Sequence, residues 1–409
     1  MPRYDVHVEG ARGTVVGDYA TVFQVFAKAE PAVADSIRAP EFATLVDERT
    51  RGFVGREFVF DEVQRVLQGD EGPSGYVVIR GEPGIGKTAI AAQLVKANGW
   101  VHHFNVAQQG IRSPRDFLRN VCAQLIARHG LDHTALAADA GEDSGFFSRL
   151  LKEASDRTKP VVIVVDALDE AEDTGLPPAA NRLFLPKVLP EGVFMILTTR
   201  EDHDYRLDVD RATDIWLRDD DPANQADVRC FVDRFVEEHG EAMAPRIAAW
   251  GLDGPAFAEQ LTSLSEGNFM YLVYVLPDIE AGRLTPENAG DIGELPRGLR
   301  SYYQRHWREM RDADRQRFED EQRPVLCMLA IAREPVTLAQ VGAWTALEPS
   351  RVRGVVNEWR QFLNESAGGA FRVYHRSFAD FLDAEEDLAY YHRRIADAAL
   401  AKVPGLGLT

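Results

Sequence analysis

The chain has 409 residues, enough for about two to four domains with a core in each. Hydrophobic residues make up 45% and charged residues 27%, as in ordinary globular proteins, and the formal net charge of −19 argues against a general binder of nucleic acid or anionic membranes. No apolar stretch approaches the roughly 20 residues that span a bilayer and the N-terminus lacks a signal-peptide pattern, so we predict a cytoplasmic protein without a membrane partner.

Cysteine and histidine spacing excludes several classes of site. Cys122, Cys230 and Cys327 are widely separated and form no C-x-x-C pair, which gives neither a disulfide framework nor a zinc site. Cys122 falls on an apolar stripe of a predicted helix, so we expect it in the core. The histidines form no H-E-x-x-H pair, which leaves a metal hydrolase without support.

Residues 1–45 mix glycines with apolar residues, and the pattern favours short strands or a hairpin followed by a helix. We expect this N-terminal arm either to pack on the main body or to recruit a partner. Residues 46–221 alternate apolar runs with helical segments, which predicts an α/β domain with a parallel sheet flanked by helices.

The strongest motif lies at residues 81–88, Gly-Glu-Pro-Gly-Ile-Gly-Lys-Thr, directly after an apolar run. In a G-x-x-x-x-G-K-[ST] loop the backbone N–H groups surround phosphate oxygens, the lysine reaches the β- and γ-phosphates, and the threonine hydroxyl ligates Mg²⁺. The helix predicted over 88–97 adds the positive end of its dipole. These features predict an ATP or ADP site on Pro83, Gly84, Ile85, Gly86, Lys87, Thr88 and Ala89.

Residues 53–57, Phe-Val-Gly-Arg-Glu, lie about 25 residues before this loop. An apolar side chain can cover an adenine ring while backbone groups meet its edge. We therefore add Phe53, Val54 and Arg56 to the predicted nucleotide site.

A second motif follows the continuous apolar run at residues 161–165, which is typical of a buried parallel strand. Asp166 at its end is placed to hold Mg²⁺ together with Thr88. Asp169 and Glu170 are candidates to orient or deprotonate the attacking water. The alternative interpretation is an acidic loop after a core strand.

The strand predicted at residues 194–197 delivers Thr-Thr-Arg, residues 198–200, to the same edge of the sheet. Arg200 there can form a bidentate contact with a γ-phosphate and distinguish ATP from ADP. A plain solvated arginine is the alternative. A last strand is predicted near residues 215–217.

From residue 224 the periodicity is helical, and we predict a helical domain over 222–315. Residues 316–409 have the order of a winged-helix domain with a C-terminal helix: helices at 325–332, 338–345 and 350–362, then a hairpin around 368–369. We expect Phe371, Val373 and His375 on one face of its second strand. Ser377-x-x-Asp380 reads as a capping box that opens the next helix.

Arginines on the third of these helices, Arg351, Arg353 and Arg360, can face DNA phosphates or make contacts between domains. On a net-acidic chain we favour the second interpretation, so DNA binding is not expected.

Together, in this order, the motifs resemble those of STAND-class ATPases, the NACHT/NB-ARC family, over about residues 45–400. The resemblance implies a P-loop NTPase fold and an ADP/ATP switch in bacterial signalling or defence. In such switches ADP keeps the protein closed and monomeric, ATP opens it for ring-like self-association, and slow hydrolysis resets it. It also implies that His375, at the position of the family's winged-helix histidine, contacts the ADP β-phosphate; a histidine packed in the hairpin is the alternative.

The chain departs from the family where a helical-domain motif usually carries a proline against the nucleotide. Here residues 267–269 read Gly-Asn-Phe, which leaves a contact between Phe269 and adenine open. Because the chain stops where the family's sensor begins, we expect a sensor domain after residue 409 and an effector not named by the sequence. The alternative is a member that senses its signal by other means. The other functional hypotheses are a continuously cycling AAA-type ATPase and an ATP-gated winged-helix DNA-binding regulator.

Overall fold

The computed structural model describes residues 32–69, 72–106, 109–137, 139–201, 206–366 and 368–400. Most of the predicted N-terminal arm, at residues 1–31, lies outside the described residues. The first folded part, called the sheet domain here, comprises residues 39–217. It contains a five-stranded sheet in the order β2-β3-β4-β1-β5. Its strands are β1 (Gly75–Gly81), β2 (Val101–Phe104), β3 (Val161–Asp166), β4 (Val193–Thr199) and β5 (Ala212–Leu217).

All neighbouring strands of this sheet are parallel, and helices cover both of its faces. One face packs on α1 (Ala39–Thr50), α2 (Glu57–Leu67) and α3 (Lys87–Asn98), and the other on α4 (Pro114–His129) and α5 (Gly145–Arg157). Side chains alternate between the two cores along each strand, so Tyr76 and Val78 of β1 face α4 and α5 while Val77 and Ile79 face α1 to α3. This is the P-loop NTPase fold that the sequence predicts.

Local sequence explains why α4 starts where it does. Ser113 is its N-cap and its side chain accepts the backbone N–H of Asp116, while Pro114 stands at the first helical position, where no N–H is needed. Cys122 on this helix is fully buried. The predicted core position of Cys122 is confirmed.

The helical region, residues 222–313, follows β5. Its helices are α6 (Pro222–Glu238), α7 (Gly240–Ala249), α8 (Gly254–Ser265), α9 (Phe269–Glu280), α10 (Pro286–Ala289) and α11 (Gly298–Ala313). None of the helices in the described part of the chain is long and apolar enough to cross a bilayer.

The C-terminal region, residues 315–400, continues with helices and a small sheet. Its helices are α12 (Arg315–Arg317), α13 (Arg323–Ile331), α14 (Leu338–Thr345), α15 (Pro349–Glu358), α16 (Arg376–Glu385) and α17 (Leu388–Leu400). A π-helical turn, Phe318–Gln322, joins α12 to α13. The strands β6 (Val336–Thr337), β7 (Leu363–Glu365) and β8 (Ala370–Val373) pair antiparallel in the order β6-β8-β7. Its buried residues and those of the helical region form one cluster.

The start of α16 differs from the prediction. Phe371 and Val373 are buried on one face of β8, but His375 lies beyond that strand. Its side chain accepts the backbone N–H of Ser377, so His375 is the N-cap and the helix begins at Arg376. The expected Ser377 capping box is wrong, because Ser377 already stands in the first turn and its hydroxyl lies 2.9 Å from the Tyr303 hydroxyl.

Candidate functional site

A cavity of about 360 Å³ lies where the sheet domain meets the helical and C-terminal regions. Its volume is within the range of small-molecule sites in proteins, about 300 to 1,000 Å³. The lining brings together residues from opposite ends of the chain. Among the predicted site residues it includes Phe53, Val54, Arg56, Pro83, Gly84, Gly86, Lys87, Thr88, Ala89, Asp169, Glu170, Arg200 and His375.

The loop between β1 and α3 has the conformation its glycines allow. Gly84 and Gly86 have φ angles of +89° and +105°, which side-chain-bearing residues rarely adopt. Gly86 is the N-cap of α3 and offers no side chain to the first N–H groups of that helix. Those groups and the helix dipole are therefore available to an anion such as a phosphate.

Lys87 lies at the base of this loop and folds back on it. Its ammonium donates to the carbonyl oxygens of Gly81 at 2.6 Å and Glu82 at 3.0 Å. Burial lowers the pKa of Lys87 to about 8, against the opposing charges of Asp169 and Asp166. At neutral pH the group is therefore still mostly charged, as a phosphate ligand must be.

Ile85 and Asp166 are the predicted site residues that do not line the cavity. The Ile85 side chain is buried in the sheet-domain core, and its carbonyl oxygen accepts from Arg56 Nη2 at 2.5 Å. Its backbone N–H makes only a long contact of 3.4 Å, with the Glu82 carbonyl oxygen. Asp166 lies just behind Thr88, whose hydroxyl bonds to it.

The residues around Asp166 fit a Mg²⁺ ion. The Thr198 hydroxyl donates to Asp166 Oδ1 at 2.5 Å and accepts the N–H of Ala167 at 2.8 Å, which fixes the carboxylate in position. Burial raises the pKa of Asp166, and the hydroxyl groups of Thr198 and Thr88 oppose that shift. A carboxylate beside a hydroxyl supplies the oxygen donors that Mg²⁺ takes in nucleotide sites, where phosphates and water complete its shell.

Arg200 lies between carboxylates from two parts of the chain. Its Nε is 3.0 Å from Asp169 Oδ2, in the loop after β3, and its Nη2 is 2.8 Å from Asp380 Oδ2, on α16. Burial lowers the pKa of Arg200, but the charges of Asp380 and Asp169 outweigh it and the net shift is upward. Arg200 is thus a structured ion-pair partner and not a solvated arginine.

The His375 ring is held by the Ser377 hydroxyl, which is itself in contact with a second hydroxyl group. Its Nδ1 lies 2.6 Å from Ser377 Oγ, which in turn lies 2.9 Å from the Tyr303 hydroxyl. Burial lowers the pKa of His375 to about 3, so the ring is neutral at pH 7. Because Nδ1 accepts the N–H of Ser377, the proton resides on Nε2, which is left as a hydrogen-bond donor.

The other end of the cavity is apolar. It is lined by Phe53 and Val54 before α2, Phe231 of α6, and Phe269 and Val273 of α9. The rings of Phe231 and Phe269 meet edge to face at 5.6 Å. This surface is suited to a flat aromatic base, and the structure places Phe269 in it.

Arg56 joins this apolar end to the helical region. Its guanidinium carbon lies 4.8 Å from the centre of the Phe269 ring, and its backbone N–H donates to Asp227 Oδ2 at 3.0 Å. Gly55 allows that approach, since a Cβ there would come 2.1 Å from Asp227 Oδ1. Burial lowers the pKa of Arg56 to about 10 although Asp227 opposes the shift.

The first residues of α9 bind the phosphate loop directly. The Asn268 side chain donates to the Pro83 carbonyl at 2.9 Å, and the Met270 N–H donates to the Gly84 carbonyl at 3.2 Å. The same Asn268 caps α9 through its Oδ1, which accepts the N–H groups of Met270 and Tyr271. These hydrogen bonds link the loop directly to the helical region.

Comparisons with known proteins agree with this geometry. Residues 52–181 match the family described as AAA ATPase domain. The sheet domain has the P-loop NTPase fold, and this part of it is similar to an AAA ATPase domain. A comparison with curated proteins gave no match.

Several solved structures are similar to the chain. A STAND protein with a tetratricopeptide repeat sensor from Pyrococcus horikoshii matches at 17% identity and a TM-score of 0.42, over 86% of this chain and 46% of that one. This chain therefore spans about half the length of that protein. The RuvB Holliday junction branch migration motor of Thermotoga maritima matches at 14% identity and a TM-score of 0.30, over 80% of this chain and 95% of that one. Cdc6p of Pyrobaculum aerophilum matches at 10% identity and a TM-score of 0.33, over 84% and 96%.

Sequence motifs did not identify several residues that join the sheet domain to the rest of the chain. Asp227, Asn268 and Asp380 are among them. Asn268 had a sequence signal as the polar residue before a predicted helix, and Asp380 was noted only as part of a capping box. Asp227 lies inside a regular helical pattern and had no signal at all.

The arginines considered for DNA binding have other partners. Arg351 pairs with Glu321, and Arg360 pairs with Glu365 at 2.8 Å. Both ion pairs lie within the C-terminal region. Arg351 on α15 and Arg360 just after it therefore give no support to a DNA-binding surface there.

Proposed function

We propose that this chain is the core of a STAND-class switch of the NACHT/NB-ARC type, closed with ADP and opened by ATP. The proposal depends on one observation: Lys87 of the phosphate loop and His375 of the C-terminal region line the same cavity. A nucleotide there would contact residues at both ends of the chain. The resemblance of the motifs and their order supports the same conclusion.

In the closed state, ADP phosphates lie between the loop and His375. The neutral ring donates a hydrogen bond from Nε2 to a β-phosphate oxygen, while Ser377 fixes the other nitrogen. The adenine lies against Phe53, Phe269 and their apolar neighbours. A ligand shifts a conformational equilibrium only by its difference in affinity for the two states, and the γ-phosphate supplies that difference.

Hydrolysis returns the switch to the ADP form. Glu170, which lines the cavity, orients and deprotonates the attacking water, and Asp169 holds Arg200 in reach of the γ-phosphate. Mg²⁺ held by Thr88 and Asp166 would neutralise charge on the phosphates. We expect slow turnover, because a rapid step would empty the ATP state that the switch needs.

Replacement of His375 by Ala tests the proposal. Loss of a hydrogen bond to a charged group costs about 1.5 to 3 kcal/mol, so we expect the ADP off-rate to rise by about tenfold to a hundredfold. The matched control is His392→Ala, because His392 is exposed on α17 and does not line the cavity. Stopped-flow release of a fluorescent ADP analogue measures both rates; an unchanged rate in His375→Ala would contradict the closed state described here.

A continuously cycling AAA-type ATPase is the second candidate, and the match of residues 52–181 favours it. The two candidates differ in what the purified protein carries and in its turnover. A monomer with tightly bound ADP that self-associates with a non-hydrolysable ATP analogue supports the switch. Many turnovers per second in steady state, abolished by Lys87→Ala, would support the cycling enzyme.

A further inference from the structure

The ion pair between Arg200 and Asp380 is the contact that the proposed function does not yet use. It joins the end of β4 to α16 across 2.8 Å. Asp380 does not line the nucleotide cavity; it lines a neighbouring cavity of about 340 Å³, which shares Pro83 of the phosphate loop with the first. Arg200 lines both cavities. The arginine can therefore face the nucleotide or α16. Asp380 Oδ1 has a second, longer ion pair of 3.7 Å with Arg376 on the same helix, so Arg200 is its closer charged partner.

The pair is partly shielded from water. The side chains of Arg200 and Asp380 expose 24% and 39% of their surface, so their attraction is screened less than that of a surface pair. Apart from this ion pair, Asp380 Oδ2 is buried without a hydrogen-bond partner among the described residues. When Arg200 leaves, that oxygen loses the charge that offsets its burial.

A γ-phosphate competes for the same guanidinium. The γ-phosphate has charged oxygens that can accept two parallel hydrogen bonds from the guanidinium group, and ADP has no oxygen at that position. An arginine that turns fully to a γ-phosphate must give up its contact with α16. Loss of the Asp380 contact therefore reduces the binding free energy of the triphosphate, whereas the diphosphate leaves that contact intact.

We propose that Asp380 sets the preference of this chain for diphosphate over triphosphate by holding Arg200 away from the γ-phosphate. This inference rests on the proposed function and deepens it. In this role Asp380 is a positioning residue. The contact of α16 with Arg200 then depends on the number of phosphates in the bound nucleotide. Asp169, on the sheet domain, keeps its contact with Arg200 in either state.

A double-mutant cycle tests the proposal. Dissociation constants for Mg·ADP and for the non-hydrolysable analogue Mg·AMP-PNP are measured by calorimetry on the whole chain, for the original protein, Asp380→Asn, Arg200→Ala and the double variant. We expect Asp380→Asn to lower the preference for ADP over AMP-PNP by about tenfold, within the range of known allosteric couplings. In the Arg200→Ala background the same change should have no effect on the preference, because its target is gone.

Two further variants distinguish an effect of the Asp380 charge from a change in the local structure of α16. Asp383→Asn removes a carboxylate from an exposed position of the same helix and should leave the preference unchanged. Asp380→Glu keeps the charge and should stay close to the original protein. If Asp380→Asn fails to fold, Asp380→Ser takes its place in the cycle with the same expectation.

The outcomes distinguish this inference from the proposed function. A preference that stays within about twofold of the original in Asp380→Asn, or that shifts equally with and without Arg200, overturns the role of Asp380 while the switch stands. If the original protein binds neither nucleotide and matches Lys87→Ala, the proposed function itself fails.

Discussion

Arg56 is a residue whose charge is buried, and only 2% of its surface is exposed. Burial lowers its pKa to about 10, and burial also raises the pKa of its partner Asp227. Both shifts disfavour the charged forms, so desolvation outweighs the mutual attraction in this pair. Such a pair gives little net stability while intact, but removal of one partner leaves the other charge uncompensated.

We therefore expect Asp227→Asn to lower the free energy of unfolding by about 3 kcal/mol, measured by urea denaturation without nucleotide. Asp233→Asn is the control on the same helix. Asp233 forms an exposed pair with Arg229, so its replacement should cost less than about 0.5 kcal/mol. Equal losses in the two variants would show that the burial of Arg56 carries no special cost.

At the scale of elements, the first turn of α9 performs two tasks. Asn268 caps the helix, and it also holds the Pro83 carbonyl of the phosphate loop. A Cβ on Gly84 would come 2.5 Å from Asn268 Oδ1, so helix and loop are in close contact. We therefore expect the helix start and the loop to move together.

The replacement Asn268→Ala should affect both tasks. Loss of the cap costs about 1 kcal/mol of stability, and loss of the loop contact should weaken ADP binding by about fivefold to tenfold. Asp253→Ala is the matched control, because Asp253 caps α8 in the same way and does not line the cavity. We expect the two variants to lose similar stability, while only Asn268→Ala binds ADP more weakly in calorimetry. An unchanged ADP affinity in Asn268→Ala would contradict the coupling.

These elements also show what the sequence could and could not predict. The phosphate loop and the β3 carboxylates are local patterns, because the residues that form them are adjacent in the chain and parallel strands bring their ends together. Asn268 and Pro83 are separated by 185 positions, and no local pattern links them. The same holds for Asp380 and Arg200. Ser377 was misassigned because its spacing to Asp380 fits a capping box, whereas the preceding His375 side chain captures the N–H group first.

At the scale of the molecule, the buried apolar residues fall into clusters that each stay on one side of a boundary. Two clusters lie on the faces of the sheet, and one combines the helical and C-terminal regions. Contacts across the boundary include Arg56 with Asp227, Asn268 with Pro83 and Arg200 with Asp380. Polar contacts of this kind contribute far less than an apolar core, so the two sides should unfold with limited cooperativity.

Differential scanning calorimetry of the nucleotide-free chain should therefore show two overlapping transitions. In the proposed closed state ADP bridges the boundary between Lys87 and His375, and a ligand that binds only the folded form stabilises it by RT ln(1 + [L]/Kd). Saturating ADP should raise the lower transition and bring it towards the upper one, with a smaller shift in His375→Ala than in His392→Ala. A single transition without nucleotide, with equal calorimetric and van't Hoff enthalpies, would show that the polar contacts already make the chain one cooperative unit.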